Sequence, residues 1–439
     1  MADSSYLIIG AGCFGASTAR ALKDAYPTAD VVLLDQQPFP APAAAAHDFN
    51  KIIRAEYEDP VYMALALEAR EAWAEKDPVV EPFFHQTGVI WPVTQTRAKK
   101  LREGYDGLIG EGKAPLQELS FEEAKTKFPV LGGCGLDGDG EAELCVFNPL
   151  AGWAEAAGAL EAVVRDTLGK GVKYEVATAK RLIFDNEGVC TGVLAEDGRT
   201  FTAENVILSA GAYIPWLLAE SAPEKPEVQA GDRMVAASAL MGLFKVPPGE
   251  KGLDKFTNAP IIVHSFGEYP AECIPPGSPG ALDLAKCTHE LPYTRKVYHE
   301  PTKQDISVPP LSQAERMKWT TDLPDALKAN SAGARNKLFG DHITGMAPEI
   351  YRLCWDVSTP DENWIISPHP AVKNLYITTG GSFHAFKFLP NIGKYVVQML
   401  QGKLSEEHTR KWAWNREITP IVSPYTPRAD LRNVPGYHD

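Results

Sequence analysis

The sequence predicts an α/β protein in which one lobe is assembled from segments far apart in the chain and a second lobe is inserted between them. Three observations lead there. The first 35 residues run in the order strand, glycine turn, helix, strand, acid. Glycine-turn elements recur near positions 10, 210 and 380. Residues 244–310 are dense in Pro and Gly and carry β-like pieces, which sets them apart as a lobe with long loops.

The first of these patterns is the most specific. A short apolar run at 6–9 leads into Gly10-Ala11-Gly12-Cys13-Phe14-Gly15, followed by a helical pattern (Ala16, Ala19, Leu22) and a second apolar run at 31–34 that closes on Asp35. In such a G-x-G-x-x-G turn the first Gly permits the tight turn. The second lets a pyrophosphate approach the backbone, and the third lets helix and strand pack closely, with the phosphates at the helix N-terminus. Asp35 stands about 20 residues past the motif, where a carboxylate accepts from a ribose hydroxyl. The pattern therefore predicts dinucleotide binding and leaves FAD or NAD open.

Further along, 40–46 is a low-complexity turn, 59–73 has helical periodicity (Tyr62, Leu65, Ala69, Trp73), and 83–93 reads as a strand. Residues 173–184, 189–195 and 199–208 alternate in hydrophobicity and are punctuated by Asn186-Glu187-Gly188 and Glu196-Asp197-Gly198, which are hairpin signals. Residues 206–212 are a strand meeting a glycine turn; 375–379 is a strand leading into Gly380-Gly381, and 392–400 is a helix. No internal repeat is present. An NAD dehydrogenase needs no third glycine-turn return, whereas a flavoprotein wrapping a long FAD does.

Composition bounds the function. With 439 residues, 44% hydrophobic and 23% charged, the chain should hold two or three lobes at roughly 150 residues each. Its net charge of −14 argues against a protein that grips nucleic-acid phosphates or anionic membranes. No apolar run approaches the roughly 20 residues of a spanning helix, and Asp3 stands where a signal peptide has its basic region. Seven cysteines without paired spacing point to a reducing compartment. No His-x-x-x-His or Cys-x-x-Cys spacing occurs, so no metal is expected.

From Cys354 the sequence reads Cys-Trp-Asp-Val-Ser-Thr-Pro-Asp-Glu-Asn-Trp-Ile-Ile-Ser-Pro-His-Pro, and later Leu375-Tyr-Ile-Thr-Thr-Gly-Gly-Ser-Phe-His-Ala-Phe-Lys387. These blocks resemble the monomeric sarcosine oxidase family of FAD amine oxidases, most nearly the fungal amadoriases (fructosyl amino acid oxidases) and their saccharopine and pipecolate oxidase relatives. The resemblance spans the chain from Gly10 to Trp412-Ala413-Trp414. It implies a discontinuous Rossmann-like FAD-binding domain (1–85, 150–225 and 340–439) and a second α+β substrate domain built on an antiparallel sheet (86–149 and 226–339).

The same resemblance implies site residues. FAD would be tethered through Cys354 as a thioether and contacted by Gly10, Gly12, Gly15, Asp35, Gln36, Lys51, Val176, Gly381, Phe383, His384 and Lys387. Lys387 and Arg416 would hold the substrate carboxylate, with Arg54 near the substrate, and Lys286 and Lys51 would place positive charge beside the flavin for oxygen reduction. Glu290 falls where amadoriases keep an acid that contacts sugar hydroxyls, which favours a hydroxylated or cationic substituent. The apolar continuation Val89-Ile90-Trp91 after Phe84-His85-Gln86-Thr87-Gly88 is more similar to sarcosine or saccharopine oxidases. His85 and His369 read as core or loop histidines.

The expected activity is thus FAD-dependent oxidation of the secondary amine of an N-substituted amino acid, acting on CH–NH with O2 as acceptor and yielding H2O2. A fructosyl amino acid leads saccharopine, pipecolate, sarcosine and other N-alkyl amino acids. The competing readings are an NAD(P)-dependent dehydrogenase and a noncatalytic flavin-binding protein. The expected partners are a small amine and O2, with no nucleic acid and no membrane, in a monomer. The expected location is cytoplasmic or peroxisomal, although Gly436-Tyr437-His438-Asp439 is no peroxisomal tripeptide.

Overall fold

Strand Ser4–Ile9 lies inside an eight-stranded sheet. The computed structural model describes residues 2–310, 319–423, 425–427 and 429–438. Lys173–Val176, Val31–Asp35, Ser4–Ile9, Thr200–Leu208 and Leu375–Thr379 pair in that order, all parallel, and Ile365–Pro368 closes the edge antiparallel. Parallel strands are covered on both faces, so they read as unbroken apolar runs; Leu7, Ile8, Leu33, Ile207 and Leu208 are all buried. Helix Cys13–Ala25 packs against helices Ala156–Gly169 and Ile392–Leu400. The two turn signals join Ala179–Phe184, Cys190–Ala195 and the first half of Thr200–Leu208 into an antiparallel hairpin array.

Gly10 sits at φ +105°, a conformation that L side chains rarely adopt, and its N–H donates to the Leu34 carbonyl at 2.7 Å. Gly15 permits the close approach of helix and strand, because a Cβ there would lie 1.8 Å from the Gly10 carbonyl oxygen.

The second sheet has nine strands. Ala347–Ser358, Val235–Lys245, Leu284–Thr294, Ala271–Ile274 and Ile261–His264 are successive antiparallel neighbours. Ile261–His264 then pairs parallel with Val89–Val93, which continues antiparallel into Leu144–Asn148 and Gln117–Leu119. Strand Ala347–Ser358 falls within the expected 340–439 segment and is paired along its length to Val235–Lys245 in the second sheet. The expected strand at 83–93 is divided. Phe84–His85 joins Gly152–Ala154 and Lys51–Ile53 in a three-stranded sheet, and Val89–Val93 joins the second sheet after Gly88 turns the chain at φ +77°. The predicted helix at 59–73 is Pro60–Glu71, started by Asp59, whose side chain accepts from the Val61 N–H at 2.9 Å. Trp73, Trp364 and Trp412 are fully buried in the core of the first lobe. Among the described residues no helix is long and apolar enough to cross a membrane.

Candidate active site

A cavity of about 450 Å³ is lined by both sheets. At one end stand Gly10, Gly12, Asp35 and Gln36, with Ala177–Lys180 and the alanine run 43–46 opposite. Arg352 holds that run by donating to the main-chain carbonyls of Pro42, Ala44 and His47. A Cβ on Gly12 would meet no atom within 4 Å, so the turn presents bare backbone to the cavity. The half-buried Asp35 carboxylate accepts from the Ala11 N–H at 2.8 Å and the Gln37 N–H at 3.2 Å. Burial pushes its pKa up, against those backbone donors.

The middle of the cavity gathers the expected cations and Cys354. Of the seven cysteines only Cys13 and Cys354 line it. Cys13 is turned to the Ala385 carbonyl at 3.5 Å, and burial raises its pKa. The Lys51 ammonium lies 3.9 Å from the Cys354 sulfur. Lys51 and Lys286 share one carboxylate, Asp48, at 3.0 Å and 2.8 Å, and Lys286 also donates to the Asn50 carbonyl. Burial alone would raise the Asp48 pKa, but Lys286, Lys51 and Arg352 outweigh it and hold Asp48 below the usual carboxylate range. Burial opposes the Lys51 charge too, yet Cys354 and Asp48 leave its pKa raised. Lys286 is shifted down by burial and by Lys51, against the pull of Asp48.

The segment after Gly380 supplies the next wall. Ser382 and Phe383 take left-handed φ values of +46° and +62°, and the Phe383 N–H donates to Asp356 at 2.9 Å. Gly381 packs so tightly on that carboxylate that a Cβ would lie 2.6 Å from it. Backbone strain held in place this way clusters at ligand clamps. Lys387 donates to the Tyr57 hydroxyl at 2.8 Å and to the His384 carbonyl at 2.7 Å. Burial, and then Arg54, lowers its pKa well below the usual value. Both His384 ring nitrogens are engaged, by Tyr57 at 3.2 Å and the Glu362 carbonyl at 3.0 Å. Burial, with Lys387 adding, pushes its pKa down to about 3, so the ring is neutral near pH 7. Arg54 donates to the Glu56 carbonyl and stacks 4.9 Å from the Tyr57 ring centroid.

At the far end, Glu290 accepts from Ser265 at 2.9 Å and Tyr425 at 3.3 Å, and Glu272 lines the same wall.

Three expected residues do not line the cavity. Arg416 is committed to Asp361 at 2.7 Å and to the carbonyls of Ala413, Asn363 and Trp364, which turns its guanidinium into the protein. Val176 pairs with Asp35 at a strand end, but its side chain is 41% exposed and the lining begins at Ala177. Gly15 acts through packing and does not line the cavity. His85 pairs with Glu155 at 2.8 Å and stacks on Trp153, and His369 is buried near the Val228 carbonyl. Sequence reasoning passed over Asp48, Tyr57, Glu272, Asp356 and Tyr425. Asp48, three residues before Lys51, carried the one usable signal.

A family model described as FAD dependent oxidoreductase matches residues 5–263. L-Saccharopine oxidase of Schizosaccharomyces pombe is 28% identical over 439 aligned residues, covering 94% of this chain and 93% of that protein. Monomeric sarcosine oxidase of Bacillus sp. is 22% identical, over 94% of this chain and 96% of its own. The structure of fructosyl peptide oxidase from E. terrenum superposes with a TM-score of 0.81 at 28% identity, covering 100% of this chain and 98% of that one.

Proposed function

The chain belongs to the FAD-dependent oxidoreductase family, and on that premise we propose that it oxidises the secondary amine of an N-substituted amino acid with FAD held covalently on Cys354. The residues present fit the cofactor. Gly12 leaves backbone open to a pyrophosphate, Asp35 keeps lone pairs for a ribose hydroxyl, and the same cavity continues to a cysteine sulfur beside a lysine. The parallel sheet would carry the cofactor and the second sheet the substrate. Bound FAD supplies a hydride acceptor for the amine carbon and an electron donor for O2, which leaves as H2O2.

The chain's own residues bind, orient and tune charge. Lys387 and Arg54 would take the substrate carboxylate, since both are cationic groups facing the cavity. The two lysines on Asp48 put net positive charge at the Cys354 end. That charge favours a neutral amine, whose lone pair is needed as the carbon gives up hydride, and it stabilises anionic oxygen species. The neutral His384 fixes Tyr57, and Tyr57 in turn positions Lys387. The product imine hydrolyses in water. Glu290 faces the nitrogen substituent and favours one bearing hydroxyls or positive charge.

One observation carries this reading: a single cavity joins the glycine turn and Asp35 to Cys354 and to the cations Lys51, Lys286, Arg54 and Lys387. The test is anaerobic bleaching of the flavin by fructosyl-valine, fructosyl-lysine, saccharopine, pipecolate and sarcosine. Bleaching by at least one is expected, and a yellow protein that none of them bleaches would refute the proposal.

A further inference from the structure

Beyond Lys286 the cavity wall changes sign. In strand Leu284–Thr294, side chains alternate faces, so Lys286, Thr288 and Glu290 share the cavity side. The neighbouring strand Ala271–Ile274 runs antiparallel and sets Glu272 directly opposite Thr288. Opposite residues have Cβ atoms about 4.5–5.5 Å apart and diagonal ones about 7–8 Å, so Glu272, Thr288 and Glu290 form one patch of oxygen atoms.

The patch is incomplete. The Glu272 side chain enters no hydrogen bond or ion pair among the described residues. Thr288 is 6% exposed, and its hydroxyl has no hydrogen-bond partner among them either. Glu290 is 2% exposed and accepts from two neutral hydroxyls, but no cation among the described residues pairs with it. Burial, followed by Glu272, pushes the Glu290 pKa up to about 7. A buried hydroxyl without a partner and two facing carboxylates are costly unless something fills the space between them. Arg54 carries the opposite charge and acts on both, but among the described residues it forms no ion pair with either.

We propose that Glu272, Thr288 and Glu290 form a subsite for an ammonium on the substrate's nitrogen substituent, so that the preferred substrates are N-substituted amino acids carrying a second basic group. The inference rests on the amine-oxidase reading above and narrows it. Sugar hydroxyls would occupy lone pairs but leave two like charges facing each other; an ammonium satisfies the oxygens and the charge together. Lys387 and Arg54 then take the carboxylate end of the same molecule. Glu290 lies four residues beyond Lys286, about 13 Å along an extended strand, so the arm must be several methylenes long.

The test is calorimetric binding to the flavin-loaded enzyme of 4-aminobutanoate, 6-aminohexanoate and 8-aminooctanoate, each against the fatty acid of the same length. At least one amino compound should bind about 10-fold tighter or better than its fatty acid, a difference of roughly 1.4 kcal/mol. Glu272→Gln should abolish that advantage while leaving fatty-acid affinity unchanged, and Thr288→Val should reduce it. Equal binding of every pair by the wild type would overturn the proposal, as would an advantage that survives Glu272→Gln. Fructosyl-glycine serves as the polyol probe: loss of its binding in Glu272→Gln, with no ammonium advantage in the wild type, would assign the patch to hydroxyls instead. Because binding is read without turnover, absence of bleaching by secondary amines would sink the proposed function and leave these ratios to decide the subsite.

Discussion

Replacing Asp48 by Asn tests whether the lysine pair is a held charge or a bystander. One buried carboxylate oxygen lies 3.0 Å from Lys51 and 2.8 Å from Lys286. At an effective dielectric of about 20, each contact is worth roughly 5–6 kcal/mol before desolvation. Losing the carboxylate of a buried ion pair costs about 3–5 kcal/mol net, because the stranded charges cannot return to water. An unfolding entropy of about 2.1 cal/mol/K per residue over 439 residues converts that to a fall in Tm of roughly 3–5 °C. Folding holds Asp48 below the ordinary carboxylate range. Its stabilisation is therefore complete above about pH 4 and fades only as the pH falls further. Near pH 7 the full loss should show in the variant, by scanning calorimetry. The Lys286 pKa, already lowered by burial, should drop again without its counter-ion. The alkaline limb of flavin reoxidation by O2, followed by stopped-flow against pH, then moves to lower pH. A variant with wild-type Tm and an unmoved pH profile would refute the argument.

Four further outcomes follow from the same geometry. Cys354→Ala should release flavin on acid precipitation while the wild type retains it; wild-type release would remove the covalent tether. Lys387→Ala should raise KM for the amino acid at least about 30-fold, corresponding to roughly 2 kcal/mol for a truncated charged contact, and an unchanged KM would take Lys387 out of carboxylate binding. Arg416→Ala should cost about 3–5 kcal/mol of stability, since it breaks a pair whose side chains are 5% and 9% exposed, yet leave KM within about twofold; a large KM effect would return Arg416 to the site. Gly12→Ala should fold without binding flavin, because its Cβ points into open cavity, whereas Gly15→Ala should fail to fold, its Cβ meeting the Gly10 carbonyl at 1.8 Å. A yellow Gly12→Ala protein would contradict the pyrophosphate assignment.

What was legible in the sequence was whatever depends on near neighbours. The strand–turn–helix–strand order and its acid are local, and the structure sets Gly10, Gly12 and Asp35 at one end of the cavity as that order requires. The blocks around Cys354 and Lys387 identified the family because each keeps its chemistry within a short run. Contacts at long range were not legible. Asp48 gains its meaning from Lys286, 238 residues away. Glu272 sits in a four-residue strand with no motif around it. Strand Ala347–Ser358 lies in the segment expected to belong with the cofactor domain, yet its backbone pairs with Val235–Lys245, a long-range partner that no local pattern announces. Arg416 was drawn toward the substrate by its distance from Trp414; Asp361, inside the Cys354 block, is the partner that fixes it elsewhere.

The placement of charge along strand Leu284–Thr294 also bears on the reaction. A carboxylate beside the reacting nitrogen would hold it as an ammonium, which has no lone pair to assist the loss of hydride. Here Lys51 lies 3.9 Å from the Cys354 sulfur, and Lys286 stands beside it on Asp48. The acids Glu272 and Glu290 stand two or more residues further along the paired strands. On the subsite proposed above, Lys286 and the pair Glu290 and Glu272 would sort the two nitrogens of a dibasic substrate, the neutral one toward Cys354 and the protonated one toward Glu272. Exchanging the signs by Lys286→Glu should for the same reason suppress oxidation even where binding persists, because the amine at the reacting end would stay protonated.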